Sequence, residues 1–423
     1  MTSEHLPPGR PHLDGVCRVA GSRGRLASRT GTVAVAVALA ASVSLGACTS
    51  GAGGQPASGS EGSASPSSSQ AGATSPGDAN ASGVSVTGAP APLADLVRSV
   101  YTGGDLTQTS SPTAARALKP RKAAGGPVDA TAKVGSWMGT PVAVVTAGDD
   151  VTLAVGPSWK VVGGWWPSLG VAKPSLGGGP RWVLAIGSDA RKGQPLERTR
   201  ADVLQVIGID GNGGGGVMGM ARDLWVPLST GGKGKINSAM VFGGPRAQVA
   251  TVKAVTGLPV EGYVVLGFSG FMKIVDEQGG IPIVIPKTVV ASHARNMVIK
   301  AGPQTLTGAQ ALAYARERKT LPDGDFGRSR HQGEVILAAA VKAKLAGPIA
   351  IPAALTSFSK VGTSNLTAEQ ILTFTAGLHQ LSPLKVGRGV AKGAFGWAEK
   401  QSIVVLGDQA RSLFAEFRDG NLS

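Results

Sequence analysis

Arg191, Arg198, Arg200, Arg222, Arg316, Arg318, Arg328 and Arg330 are gathered in one half of a 423-residue chain, with Asp189, Asp202, Asp223 and Asp325 interleaved among them. Guanidinium forks match phosphate oxygens in bidentate geometry. Two carboxylates at neighbouring strand ends can hold a Mg2+ that keeps waters and takes its other ligands from phosphates. Together these residue types point to phosphoryl chemistry. Taken singly, each reads as an ordinary surface ion pair, worth little. Their concentration at strand ends and helix starts, where open α/β sheets form ligand sites, favours a site for the set. Arg316 and Arg318, two apart in a segment expected to be extended, should point one way. Arg328 and Gln332, four apart, should share a helical face. Other chemistries lack their residues. Gly234-Lys235 has Ser229 where a phosphate-cradling loop needs glycine, and Gly267-Phe268-Ser269-Gly270-Phe271 misses the last glycine of a nucleophile elbow. The histidines show no zinc spacing.

The elements that must position these residues alternate in type. Trp182–Ile186 reads as a strand ending in Gly187-Ser188-Asp189-Ala190-Arg191, and Val203–Ile209 as a second strand entered through Arg200-Ala201-Asp202. A glycine-rich turn at 211–216 leads into Arg222-Asp223-Leu224-Trp225-Val226. Helices are expected from about Pro245 to Thr256 and from a Ser269 cap to Gln278, with a strand at Tyr263–Leu266 between them and another at Ile281–Ile285. Thr307 can cap a helix to about Ala315, Asp325 one through Ala346, and Thr367 with Gln370 has capping-box spacing. This alternation argues for an α/β/α sandwich with a central mixed sheet. Residues 93–180, with strands expected at 141–145 and 151–155, read as a small β-rich accessory unit. Its adjacent Trp165 and Trp166 would face opposite sides of a strand, and one of them stacking on carbohydrate is the alternative to a packing role.

The net charge of +15 and pI of 10.1 invite a nucleic-acid reading, and the amino terminus argues against it. Five arginines within residues 1–30 precede an uncharged apolar stretch from Thr32 to Ala47, the pattern of an export signal. The stretch is shorter than the roughly 20 residues a bilayer span needs, and it closes on Leu45-Gly46-Ala47-Cys48, which looks like a bacterial lipobox. Residues 1–48 are thus expected to be a signal peptide delivering an acylated Cys48, with an uncleaved signal anchor as the alternative. Either places the protein outside the cytoplasmic membrane, with no nucleic-acid partner. Residues 49–92, almost free of large apolar side chains, read as a flexible tether. Nearly all the positive charge then belongs to the part expected to fold.

Several motifs in order make the second half recognisable. These are residues 187–191, Arg200-Ala201-Asp202, Arg222-Asp223-Leu224-Trp225-Val226, Gly234-Lys235-Ile236-Asn237-Ser238-Ala239, Ala311-Leu312-Ala313-Tyr314-Ala315-Arg316-Glu317-Arg318, and the run from Asp323 to Gln332. Residues 181–346 resemble the catalytic domain of the LytR-CpsA-Psr family of cell-wall ligases, in a lipoprotein-like form of actinobacterial type, with 347–423 as the α/β extension of that domain. The resemblance implies a phosphotransferase that moves a glycopolymer from an undecaprenyl diphosphate carrier to peptidoglycan, with Mg2+ or Mn2+ as cofactor and a pyrophosphatase side activity. It also implies an apolar groove for the prenyl tail between sheet and helices. By position, Asp189 and Asp202 would serve the metal, one helping to deprotonate the acceptor. Asp189, Asp202 and Arg222 would be catalytic, and Arg191, Arg200, Arg222, Arg316, Arg318, Arg328 and Gln332 would bind the diphosphate. The chain departs from the family pattern at Gly219, Met220, Ala221, Gly327, His331 and Gly333. The competing reading is a non-catalytic lipoprotein that binds polyprenyl phosphate or wall polymer.

Overall fold

The computed structural model describes residues 83–191 and 193–422. The expected export signal, Cys48 and most of the expected tether lie outside those residues. The tether does not reach residue 92, because strand β1 (Val84–Thr87) and helix α1 (Ala91–Thr102) already lie in that range. β1 pairs in parallel with β2 (Val128–Trp137), and α1 buries Leu93, Leu96, Val97 and Val100. Four strand residues that alternate Val with Ser and Thr are too few to register against the composition around them.

After the short helix α2 (Pro112–Leu118), strands β3 (Thr140–Ala147), β4 (Asp150–Val155), β5 (Lys160–Trp166) and β6 (Val171–Ser175) complete a six-stranded sheet in sequential order. Both faces are covered. Trp166 is fully buried in the core beneath α1 and α2, its indole donating to the Thr152 hydroxyl at 2.8 Å. Trp165 packs into the opposite core. The two tryptophans do face opposite ways, and both are spent on packing.

The second sheet begins with β7 (Arg181–Ser188), β8 (Ala201–Ile209) and β9 (Gly215–Met220), followed by the hairpin of β10 (Trp225–Pro227) and β11 (Lys233–Lys235). Helix α3 (Ser238–Thr256) starts about two turns before the expected Pro245. It breaks at Gly244, whose φ of 72° is open to glycine and lets the chain restart on proline. Strand β12 (Gly262–Gly267) and helix α4 (Phe268–Glu277) follow, the latter capped by Gly267 rather than Ser269. The small strands β13 (Ile281–Ile285), β14 (Val289–Ala291), β15 (Met297–Ile299) and β16 (Gly302–Leu306) form two antiparallel pairs. Helix α5 (Gly308–Arg316) has a complete capping box from Thr307 and Gln310. Then come α6 (Asp325–Leu345), α7 (Ile351–Ser359), β17 (Gly362–Ser364), α8 (Ala368–Gln380) with its Thr367 capping box, and β18 (Val386–Ala391). A hairpin of β19 (Gly393–Ala398) and β20 (Gln401–Leu406) precedes α9 (Asp408–Glu416).

The sheet runs β17-β12-β7-β8-β9-β18, with β12 on β7 and β18 on β9 parallel and the other pairs antiparallel. It is mixed and central, as the alternation of elements predicts. Even-numbered β7 residues Trp182, Leu184 and Ile186 face a core shared with α3 and α9. Val183 faces the other side, where α7 and α8 lie between this sheet and the accessory sheet in one continuous core. No single helix among the described residues is long and apolar enough to cross a membrane.

Trp137 of β2 joins the two sheets. It is 2% exposed, donates from its indole to the Leu366 carbonyl at 2.8 Å and stacks 5.3 Å from Phe358. Trp137→Ala should cost about 3–5 kcal/mol, read as a lower urea midpoint of a single transition. Two separated transitions in the wild type would show that the sheets do not fold together.

Candidate active site

A one-residue irregularity places the central carboxylate. Along β7 and β8, Gly187 pairs with Val203 but Ser188 with Ala201, so Asp202 is the extra residue of a bulge. Bulges re-aim a side chain and leave a backbone group unpaired, and here both are used. The Asp202 carboxylate accepts from Arg222 Nη1 at 2.5 Å, and the Asp202 carbonyl accepts from the Gln332 side chain at 3.4 Å. Next to it, Asp189 at the end of β7 takes Arg200 Nη2 at 3.0 Å, and its N–H donates to the Arg200 carbonyl.

Arg222 follows β9 and is the centre of the charge network. Its Nε lies 3.9 Å from Asp223, which also pairs with Lys235 at 2.9 Å. Its backbone N–H donates to Asp325 Oδ2 at 3.2 Å, and Asp325 Oδ1 pairs with Arg328 Nη2 at 2.6 Å. Burial alone would lower the Arg222 pKa, but Asp202, Asp223 and Asp325 outweigh it and raise the pKa. Arg328, deeper in α6, is lowered by burial despite its Asp325 partner. Asp325 is therefore not the helix cap that its position suggested. Gly324, at φ 55°, occupies that place, and Asp325 ties the first turn of α6 to the loop after β9.

Arg316 and Arg318 do not point one way. Arg316 is the last residue of α5 rather than part of an extended run, and its guanidinium lies 4.2 Å over the Phe268 ring, a cation–π contact. Arg318 instead lines a polar cavity with Asp223, Lys319 and Asp325. Glu317 separates them. It is fully buried and accepts the backbone N–H groups of Ser292, Arg318, Lys319 and Thr320. Burial alone would raise its pKa, but hydrogen bonds from Thr320, Ser292 and His293 hold it at about 2. Arg328 and Gln332 are both buried on α6, as the spacing of four predicts. Arg191 lies on the exposed loop after β7, and no hydrogen bond or ion pair joins its guanidinium to the network.

Beside the network is an apolar groove of about 180 Å³ between β7, β8 and β12 on one side and α4, α5 and α6 on the other. Ala185, Gly187, Phe271, Leu312 and Ile336 are among its walls, and its polar groups are Arg316 and Gln332. Gly187 is close-packed in this wall: a Cβ there would stand 2.4 Å from the Val203 side chain.

Three of the departures from the family pattern, Gly219, Gly327 and His331, have local reasons. At Gly219 a Cβ would meet the Ser329 hydroxyl at 2.3 Å, so Ser329 of α6 fills that space and accepts from Gln205. At Gly327 a Cβ would meet the Asp323 carboxylate at 2.2 Å, and that carboxylate pairs with Arg330 at 2.5 Å. His331 stacks on Tyr314 with centroids 4.0 Å apart, and burial lowers its pKa. It packs as a neutral ring. Sequence reasoning passed over Glu317, Gln205 and Ser329. For Glu317, a carboxylate between two arginines of one motif was the available signal, although it reads as simple charge alternation.

An α/β/α domain with an arginine–carboxylate network at the end of an apolar groove is what fold and site define. The LytR_cpsA_psr family model matches residues 171–410, more than half of the chain. The chain belongs to the LytR-CpsA-Psr family. It is 36% identical over 157 residues to the regulatory protein MsrR of Staphylococcus aureus, covering 36% of this chain and 46% of that protein. It is 34% identical over 195 residues to the polyisoprenyl-teichoic acid–peptidoglycan teichoic acid transferase TagU of Bacillus mycoides, covering 45% and 62%. TagV of Bacillus subtilis, a transferase of the same description, is 35% identical over 167 residues, covering 37% and 42%. The chain thus spans roughly half the length of these relatives. Among solved structures, TagT bound to LI-WTA matches with a TM-score of 0.50 at 23% identity, over 58% of this chain and 92% of that one. Protein gbs0355 from Streptococcus agalactiae matches equally well, at 22% identity over 58% and 90%. These likenesses establish the fold.

The Glu317 carboxylate makes a pH prediction. Its folded pKa of about 2 lies below the ordinary 4.5, so its stabilisation is complete above pH 4.5 and is lost as pH falls toward 2. Glu317→Gln should destabilise by about 1–3 kcal/mol at neutral pH and flatten the stability profile between pH 4.5 and 2, measured by denaturant unfolding across that range.

Proposed function

We propose that the chain is a phosphotransferase that attaches a glycopolymer, carried on a polyprenyl diphosphate such as undecaprenyl diphosphate, to peptidoglycan. The observation that carries this reading is the union of an apolar groove with an arginine–carboxylate network at its polar end. A long isoprenoid needs the first and a diphosphate the second. Cys48 would be acylated and hold the enzyme on the outer side of the cytoplasmic membrane, with the basic folded part drawn to anionic head groups and wall polymer. The chain's similarity to TagU and TagV, described as polyisoprenyl-teichoic acid–peptidoglycan teichoic acid transferases, supports the substrate class.

In this reading Arg316 and Gln332 receive the diphosphate as it leaves the groove, and Arg222, Arg200, Arg318 and Arg328 surround it. An acceptor hydroxyl of peptidoglycan attacks the glycan-bearing phosphorus. The new bond is acceptor oxygen to phosphorus, the bond broken is the bridging P–O, and prenyl phosphate leaves. Asp189 is the better placed base, because Asp202 is held by Arg222 whereas the Arg200 partner of Asp189 is 61% exposed and free to turn to substrate. Negative charge grows on the bridging oxygen, and preorganised guanidinium groups stabilise it there without a covalent intermediate. Water in place of the acceptor would give the pyrophosphatase side reaction.

Among the described residues no cluster of three or more His, Cys, Asp or Glu could hold a metal ion. Asp189 and Asp202 at neighbouring strand ends nonetheless suit an ion that uses one or two carboxylates and fills its shell with phosphate and water. Mg2+ or Mn2+ bound there would supply further neutralisation of the diphosphate.

The test is transfer from a prenyl-diphosphate disaccharide to peptidoglycan by the full chain with Mg2+. Arg222→Ala and Asp202→Ala should each lower kcat by about 100- to 1,000-fold, with circular dichroism and unfolding midpoints showing that the fold persists. Unchanged turnover in both variants overturns the assignment. Retained prenyl phosphate without product in the wild type would favour a binding lipoprotein instead.

A further inference from the structure

The C-terminal hairpin presents two aromatic side chains to solvent beside the charge network. On β19, Phe395 is 66% and Trp397 78% exposed. Two residues apart on a strand, they share a face, opposite Val404 and Ser402 of β20. The hairpin is fixed in place: the Val404 N–H donates to the Asp223 carbonyl at 2.9 Å, and Phe395 lies 5.4 Å from Phe326 in the first turn of α6. Between hairpin and network is a cavity of about 290 Å³ whose walls include Asp223, Arg318, Lys319, Asp325, Phe395 and Ser402.

A pyranose has the complementary surfaces, an apolar C–H face for an aromatic ring and a hydroxyl rim for carboxylates, cations and a serine. Binding sites combine such apolar walls with a few placed polar groups. The spatial order identifies which sugar. From the apolar groove, Arg316 leads to the arginines around Arg222, and Arg318 leads on into the hairpin cavity. Tail, diphosphate and first sugar follow in that order along a prenyl-diphosphate-linked glycan.

We propose that Phe395 and Trp397 form the stacking wall for the first sugars of the diphosphate-linked donor, a proposal that rests on the transfer function above. The wall sets specificity for the glycan while the arginines hold the diphosphate. Both side chains are mostly exposed, and the Val404 N–H bond to the Asp223 carbonyl that anchors the hairpin does not depend on them.

Titration calorimetry of the full chain with farnesyl diphosphate and with farnesyl-diphosphate-linked N-acetylglucosamine tests this. The wild type should bind the sugar-bearing probe about tenfold more tightly. The double variant Phe395→Ala/Trp397→Ala should bind both probes alike, at the wild-type affinity for farnesyl diphosphate, and Trp397→Phe should restore part of the preference. Equal binding of both probes by the wild type, or a preference that survives in the double variant, overturns the proposal. So does a double variant that keeps the preference for the sugar-bearing probe but loses affinity for a peptidoglycan disaccharide, which would make the wall an acceptor site. If the wild type binds neither probe, the failure belongs to the transfer reading itself.

Discussion

The contact between Asp202 and Arg222 holds the site together. A carboxylate raised out of β8 by a bulge, with its side chain 11% exposed, loses much of its hydration, and a guanidinium at 2.5 Å compensates for that loss. Arg222 in turn is fixed by its own N–H to Asp325, and Asp325 by Arg328. This chain of charges docks the start of α6 against the loop after β9. Gln332, one turn further on, closes the connection by reaching back to the carbonyl that the bulge leaves unpaired. Breaking the first pair would leave two largely buried charges, on β8 and on the loop after β9, without that compensation.

The groove is the apolar consequence of the same docking. With its first turns held by polar bonds, α6 crosses the sheet where Ala185 and Gly187 present little side chain, and the space beneath it stays open instead of being filled. On the other face, Trp182, Leu184 and Ile186 fill a dense core with α3 and α9. One strand thereby serves a packed face and a cavity face by simple alternation. Glu317 turns the chain between Arg316, at the groove, and Arg318, at the polar cavity. Four backbone N–H groups converging on its carboxylate make that turn rigid.

Much of this was legible in the residues. Strands β7, β8 and β12, the Thr307 cap, the Thr367–Gln370 capping box and the shared face of Arg328 and Gln332 follow from local patterns of period, capping and spacing. Where expectation and structure part, a distant group competes with a local preference. Asp325 has the residue type of a cap, but the Arg222 backbone and Arg328 claim its carboxylate. Arg316 has the spacing of an extended partner to Arg318, but α5 continues one residue further and Phe268 offers its ring. The early residues around Val84 resemble tether by composition and become strand only because Val128–Thr131 lies alongside.

By itself the sequence determined the kinds of chemistry available, namely arginines and aspartates at element ends, the alternation that yields a mixed α/β sheet, and the ordered motifs that mark the family. Those properties reside in residue type and short-range spacing, which need no partner. Tertiary structure alone decided that Asp202 is the bulged residue, that both tryptophans of β5 are consumed by two cores, and that a C-terminal hairpin stands beside a network built from residues 189–332. Each depends on contacts between segments tens to hundreds of residues apart. Their geometry is set by which surfaces can be buried together and which charges must meet, and no local pattern records it.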